Sequence, residues 1–183
     1  MKGIVFTEFL EMVEDKFSLE LCDSMIEQAD TESDGVYTSV GTYDYKEMVA
    51  MVGALSSLTD IPVPELLKTF GQHLLGRFAV TFPQFFEGMS STFEFLPKVE
   101  SFVHLEVKKL YPDAELPSFS FARSEPGRME MTYRSSRGLA DVAEGLIRGT
   151  MLHFGETLNL ERTDLNDGKN ATVFTITEPR LRQ

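Results

Sequence analysis

The stretch Leu96–Phe119, LPKVESFVHLEVKKLYPDAELPSF, restricts what this chain can fold into more than any other. Pro97 suits the first turn of a helix, where a missing N–H costs little. Val99, Phe102, Val103, Val107 and Leu110 then recur at helical spacing, and Pro112 stops the helix. His104 lies beside that apolar stripe, about midway along it. A histidine held there is either a hydrogen-bonded structural residue or an axial ligand to a metal or haem iron. Position alone favours the structural role.

Around this stretch the apolar spacing predicts helices first and strands later. Residues 2–17 form an amphipathic helix with Phe6, Phe9, Leu10, Val13 and Phe17 inward and Glu8, Glu11 and Asp15 opposite. Ile4 and Val5 add apolar surface at its very start, where helices tend to fray. Further helices are expected over 18–29, over 44–58 with Met48, Val49, Val52, Leu55 and Leu58 inward, and over 64–81. On the last of these Leu67, Phe70, Leu74 and Phe78 face inward and Gly71 allows close approach. Val36–Tyr45 is an ordered loop, and short helical pieces near Phe85–Glu87 and Thr92–Leu96 lead into the His104 helix.

After Pro117 the texture changes. Phe119 and Phe121 alternate with serines, Pro126-Gly127 turns, and Met129, Met131 and Tyr133 alternate with Glu130 and Thr132. A helix over 138–154 follows, with Leu139, Val142, Leu146, Met151 and Phe154 as core candidates. A second hairpin joins Leu158/Leu160 to Val173–Thr177 across Asn166-Asp167-Gly168. The expected fold class is α+β, with a four-stranded antiparallel sheet.

A length of 183 residues fits one domain, and 42% apolar content supports a packed core. The net charge of −12, with Lys108–Lys109 and Arg180–Arg182 isolated, argues against nucleic acid or an anionic membrane as partner. Cys22 is the sole cysteine, so an intrachain disulfide and a Cys-rich zinc site are excluded; its neighbours predict a buried structural thiol. Acidic residues interrupt the N-terminal segment where a signal peptide would be apolar, and no run reaches the length of a membrane span. A cytoplasmic location is the default, and the Asn170-Ala171-Thr172 sequon is discounted with it.

Ordinary enzyme signatures are missing: no P-loop, GxGxxG, GxSxG or HExxH occurs. His73, His104 and His153 fall on different helices, and the pairs Glu8/Glu11 and Asp141/Glu144 fall on solvent faces. Tyr133-Arg134-Ser135-Ser136-Arg137 is the sharper candidate, where a strand passes into a helix. Alternation sets Tyr133, Ser135 and Arg137 on one side, where two hydroxyls and a guanidinium fork suit a carboxylate. The alternative is a strand end with a capping serine and a surface arginine.

Together these elements resemble the haem–nitric oxide/oxygen binding (H-NOX) family. The resemblance is carried by His104, Leu110-Tyr111-Pro112, Pro117, Tyr133-x-Ser135-x-Arg137, the opening Met1-Lys2-Gly3-Ile4 and the Gly71…Phe78…Phe82-Pro83 helix. It spans essentially the whole chain and implies one H-NOX domain over 1–183. A helical distal lobe over about 1–63 and an α/β proximal lobe over about 64–183 would hold haem b between them. By resemblance His104 is the proximal iron ligand, and Tyr133, Ser135 and Arg137 hold the haem propionates. Pro117 presses on the porphyrin, and Val5, Phe9, Leu74, Phe78, Val142 and Leu146 form the distal pocket.

Oxygen-binding members supply a distal tyrosine at the position matching Val142, and valine cannot donate a hydrogen bond. The resemblance therefore implies a non-enzymatic sensor of the bacterial stand-alone type, which binds NO and CO and excludes O₂. NO weakens the iron–His104 bond, and the lobes shift relative to each other. The tail Glu178–Gln183 leaves no room for an output domain, so a separate histidine kinase or cyclic-di-GMP enzyme is the expected partner. Some bacterial members bind zinc through a C-terminal cysteine cluster, which this chain lacks. The rival readings are an O₂ sensor and a haem-free module for a small hydrophobe.

Overall fold

The computed structural model describes residues 1–165 and 171–179. The Asn166-Asp167-Gly168 turn, Asn170 and Arg180–Arg182 lie outside the described residues. Helix α1 (Gly3–Lys16) buries Phe6, Phe9, Met12 and Val13. Its first turn does not fray, because Tyr43 N donates to Met1 O and Gly3 N to Gly41 O, both at 2.9 Å. That pairing explains why Ile4 and Val5 sit where helices are normally loose. Helix α2 (Leu19–Ala29) starts at Ser18, whose Oγ accepts from Leu21 N. It buries Cys22, whose thiol pKa burial pushes up to about 11.

The segment before α3 (Tyr45–Thr59) is ordered by one carboxylate: Glu47 accepts from Ser33 N, Ser33 Oγ and Tyr37 Oη. Tyr37 in turn stacks on Phe6 at 4.4 Å between centroids. In α3 the inward face is rotated from the expected one. Met51 and Ala54 are buried, whereas Val49 and Leu58 are exposed. Their apolar spacing fits a helix equally well on either face, and only the packing against α2 and α4 chooses.

Helix α4 (Val63–Thr81) runs along α7 (Ala140–His153) at a distance only glycine permits. A Cβ on Gly71 would lie 2.3 Å from Val142 O, and one on Gly145 would lie 2.2 Å from Lys68 O. Two packed clusters adjoin this crossing. One gathers α1–α4 side chains from Phe6 to Leu74; the other gathers Leu75, the aromatic segment 85–96, α7 and the sheet. The division by packing thus falls within α4, between Leu74 and Leu75.

The His104 region departs from expectation. The helix does not begin at Pro97: α5 (Thr92–Lys98) begins after Ser91, whose Oγ accepts from Glu94 N at 3.2 Å, so Pro97 lies inside it. Ser91-x-x-Glu94 is the capping signature that marks this start. A wide turn over Val99–Val103 follows, in which His104 N donates to Val99 O. Such i→i+5 turns recur at functional sites. Helix α6 (His104–Leu110) completes the run.

Strands β1 (Ser118–Glu125), β2 (Arg128–Arg134), β3 (Asn159–Leu165) and β4 (Ala171–Thr177) form an antiparallel sheet in the order β1-β2-β4-β3. Both hairpins are as the alternation implied, and Met129, Met131 and Tyr133 point into the core.

Two acidic residues expected on solvent faces are buried. Glu8 is 7% exposed and accepts from Arg77 Nε at 2.8 Å. Glu144 is 5% exposed and accepts from Arg148 Nε and Nη2 at 3.0 and 2.8 Å, with Lys68 and Arg162 near it. A carboxylate enters a low-dielectric site only with such partners, and most of these are remote in sequence.

The α4–α7 approach yields a stability prediction. Gly145→Ala forces a methyl into the α4 backbone and is expected to destabilise the fold by about 1–3 kcal/mol. Urea unfolding checks it; an unchanged midpoint would show that the helices can separate freely.

Candidate functional site

A cleft of about 560 Å³ opens between the two packed clusters. This lies within the usual range for a small-molecule or cofactor site. One wall comes from α1, α4 and α7: Ile4, Val5, Leu74, Phe78, Val142 and Leu146. None of these six side chains can donate a hydrogen bond. Of the hydroxyls that also line the cleft, Thr150 Oγ1 donates to Leu146 O at 2.9 Å.

The lining also includes His104, Pro117 and Phe119. The His104 side chain is 15% exposed, and Phe119 stacks on its ring at 5.3 Å. His104 Nδ1 is 3.2 Å from Glu100 Oε2, which also accepts from Phe119 N at 3.1 Å. An ionised carboxylate only accepts, so Nδ1 carries the proton and Nε2 keeps a free lone pair. Burial lowers the His104 pKa below 6.5; the charge of Glu100 opposes this and is outweighed. A neutral imidazole with a free lone pair is the form that ligates a metal.

At the rim, β2 ends and leads into α7. Tyr133, Ser135 and Arg137 all border the cleft. Arg137 N donates to Ser135 Oγ, while the guanidinium holds Glu115 through Oε2 at 2.9 Å and its carbonyl at 3.1 Å. Burial pushes the Tyr133 phenol pKa up, against the bonding from Ser135. The N-terminal ammonium of Met1 adds a further cation beside Arg137. It donates to Tyr43 O, and burial followed by Arg137 lowers its pKa.

Of the residues singled out from sequence, His104, Pro117, Tyr133, Ser135, Arg137, Val5, Leu74, Phe78, Val142 and Leu146 are brought together around this cleft. Phe9 is not: it is buried in the first cluster, edge-on to Phe70 at 5.2 Å. His73 faces Glu8, 3.5 Å away and without a hydrogen bond at its Nε2. It does not border the cleft. Glu100, four residues before His104, and Tyr43 also belong to this neighbourhood, although apolar periodicity does not single them out. Sequence reasoning had noted the apolar start at Ile4 without assigning it.

The haem-NO-binding family model matches residues 2–162. The chain belongs to the H-NOX family. It is 37% identical to the Fe(II) unliganded H-NOX protein of K. algicida, with all of both chains covered and a TM-score of 0.90. The H-NOX of Shewanella woodyi, solved in the Fe(II)CO state with IWP-051 bound, is 38% identical over 98% of this chain and 95% of that one, with a TM-score of 0.84. An S. oneidensis H-NOX protein in the Fe(II)NO state is 25% identical over 96% and 98%, with a TM-score of 0.88. No curated protein matches the chain. Among the described residues no helix is long and apolar enough to cross a membrane.

H-NOX proteins bind haem, and the donor set here fits that group. Apolar walls suit the porphyrin faces, a neutral imidazole suits the iron, and a hydroxyl–guanidinium rim suits carboxylates.

The shifted imidazole can be read directly. In the apoprotein the His104 ring is expected to titrate below pH 6.5, followed by NMR of its ring protons. A midpoint at or above 6.5 would mean that the ring is solvated rather than held neutral by its surroundings.

Proposed function

We propose that this chain is a haem b-based sensor that takes up NO and CO, excludes O₂, and acts as a signalling module rather than an enzyme. The bound haem would supply ferrous iron as the site of gas uptake. The observation that carries this reading is one imidazole, held at Nδ1 by Glu100, in a cleft lined by aliphatic and aromatic side chains without donors. His104 would hold the iron through the lone pair of Nε2. Tyr133, Ser135 and Arg137 take the propionates; Arg137 can do so by exchanging the exposed Glu115 carboxylate for another. Pro117, which also lines the cleft, presses on the macrocycle.

Val5, Leu74, Phe78, Val142 and Leu146 form the distal side, with Phe9 supporting them from the core. A bound O₂ accumulates negative charge that a donor must stabilise, and these side chains offer none. NO and CO need no such help. This reading takes the chain as a single domain, with 1–63 on the distal side together with Leu74, Phe78, Val142 and Leu146, and the rest of 64–183 on the proximal side.

With haem bound, His104 would tether the α6 segment to the iron, and release of that tether in response to NO would free α6 and let the two packed clusters shift relative to each other. A partner that binds the two shapes with different affinity reads the change. By family resemblance that partner is a histidine kinase or a cyclic-di-GMP enzyme in the bacterial cytoplasm. The structures of relatives with CO and NO bound support the gaseous ligands.

The test is spectroscopic. Purified ferrous protein is expected to change its absorption with NO and with CO and to form no stable oxy complex in air; a stable oxy spectrum would overturn the gas assignment. His104→Gly is expected to lose haem or to retain it only with added imidazole, and unaltered haem binding would refute the ligand assignment. Val142→Tyr adds a distal phenol and is expected to raise O₂ affinity, read by titrating the ferrous protein with O₂.

A further inference from the structure

Glu100 lies outside the cleft lining, yet its carboxylate makes two contacts that meet at His104. Oε2 accepts from His104 Nδ1 at 3.2 Å and from Phe119 N at 3.1 Å. Glu100 and His104 are four residues apart, neighbours on a helical face, with the Val99–Val103 turn between them. Its i→i+5 closure, with His104 N on Val99 O, leaves Glu100 one turn before the histidine and aimed at the ring edge. Phe119 then covers a face of the same ring at 5.3 Å and an interplanar angle of 29°. The imidazole is held at its Nδ1 edge by a charge and across one face by an aromatic ring. Among the described residues no other side chain forms a hydrogen bond with it.

A carboxylate on the far nitrogen of a metal-bound histidine does two things. It fixes the tautomer and ring orientation, and it raises the basicity of the ligating nitrogen. A stronger donor makes an axial bond that resists rupture when a ligand binds opposite. We propose that Glu100 is the positioning residue that strengthens the His104–iron bond and so sets how readily NO breaks it. Through Phe119 N the same carboxylate ties His104 to the first strand of the sheet, so movement of the ring is felt at β1. This rests on the haem reading above and adds to it a determinant of the threshold at which the sensor switches.

The experiment compares wild type, Glu100→Gln and Glu100→Leu. Glutamine keeps an acceptor for Nδ1–H without the charge; leucine removes the acceptor. In haem-loaded ferrous protein, resonance Raman is expected to show the iron–histidine stretch falling in the order wild type, Gln, Leu. Stopped-flow absorption is expected to show loss of the axial bond after NO accelerating by roughly tenfold or more in the leucine variant. In the apoprotein, ¹⁵N NMR is expected to show the Nδ1–H tautomer of His104 in wild type and in Glu100→Gln, and loss of that preference in Glu100→Leu. An unchanged stretch and an unchanged rupture rate across the three proteins would overturn the proposal while leaving the haem site intact. A wild-type protein with no iron–histidine stretch at all would instead defeat the haem reading on which it rests.

Discussion

The contact between α4 and α7 governs the rest of this molecule. Gly71 and Gly145 let two helices meet backbone to backbone, with no side chain between them at the crossing. Helices so close cannot both direct large residues toward each other there. Their bulk goes to the flanks, where Leu74 and Phe78 on one helix and Val142 and Leu146 on the other line a shared cleft. The same crossing separates the two packed clusters, because α4 contributes Leu74 to one and Leu75 to the other.

Electrostatics sharpens the picture. The charged groups closest to the α4–α7 seam are paired: Glu8 with Arg77, and Glu144 with Arg148, Lys68 and Arg162. Distal to His104 the cleft presents hydrocarbon, while its mouth presents Tyr133, Ser135, Arg137 and the Met1 ammonium. A flat apolar ligand with an anionic edge meets both surfaces in one orientation only. Polarity is thus concentrated at the mouth of the cleft.

Much of this was legible in the sequence where a residue's environment is set by its neighbours in the chain. Helices α1, α4 and α7 and both hairpins follow from apolar periodicity, and Gly71 was recognisable as a point of close approach. What escaped depends on distant partners. Glu8 and Glu144 look like surface charge until Arg77 and Arg162 are brought to them by the fold. Val49 and Leu58 fit the inward face of α3 by spacing, yet the packing chose Met51 and Ala54. Pro97 suggested a helix start that Ser91 had already supplied. The wide turn before His104 changes the hydrogen-bond pattern by one residue and leaves no trace in apolar spacing. Glu100 itself stands four residues before His104, and its role is visible only once Phe119 N is brought to the same carboxylate. Family resemblance, by contrast, gathered eleven site residues from four helices, strand β2 and the loops beside β1 and β2, and all but Phe9 border the cleft.

The account stands on His104 as the protein's grip on iron. A crystal structure of the haem-reconstituted ferrous protein tests this most directly. It is expected to show the porphyrin in the cleft, iron bonded to His104 Nε2, Nδ1 still on Glu100, and the propionates at Tyr133, Ser135 and Arg137. Iron ligated by any other side chain, or a porphyrin seated elsewhere, would contradict it.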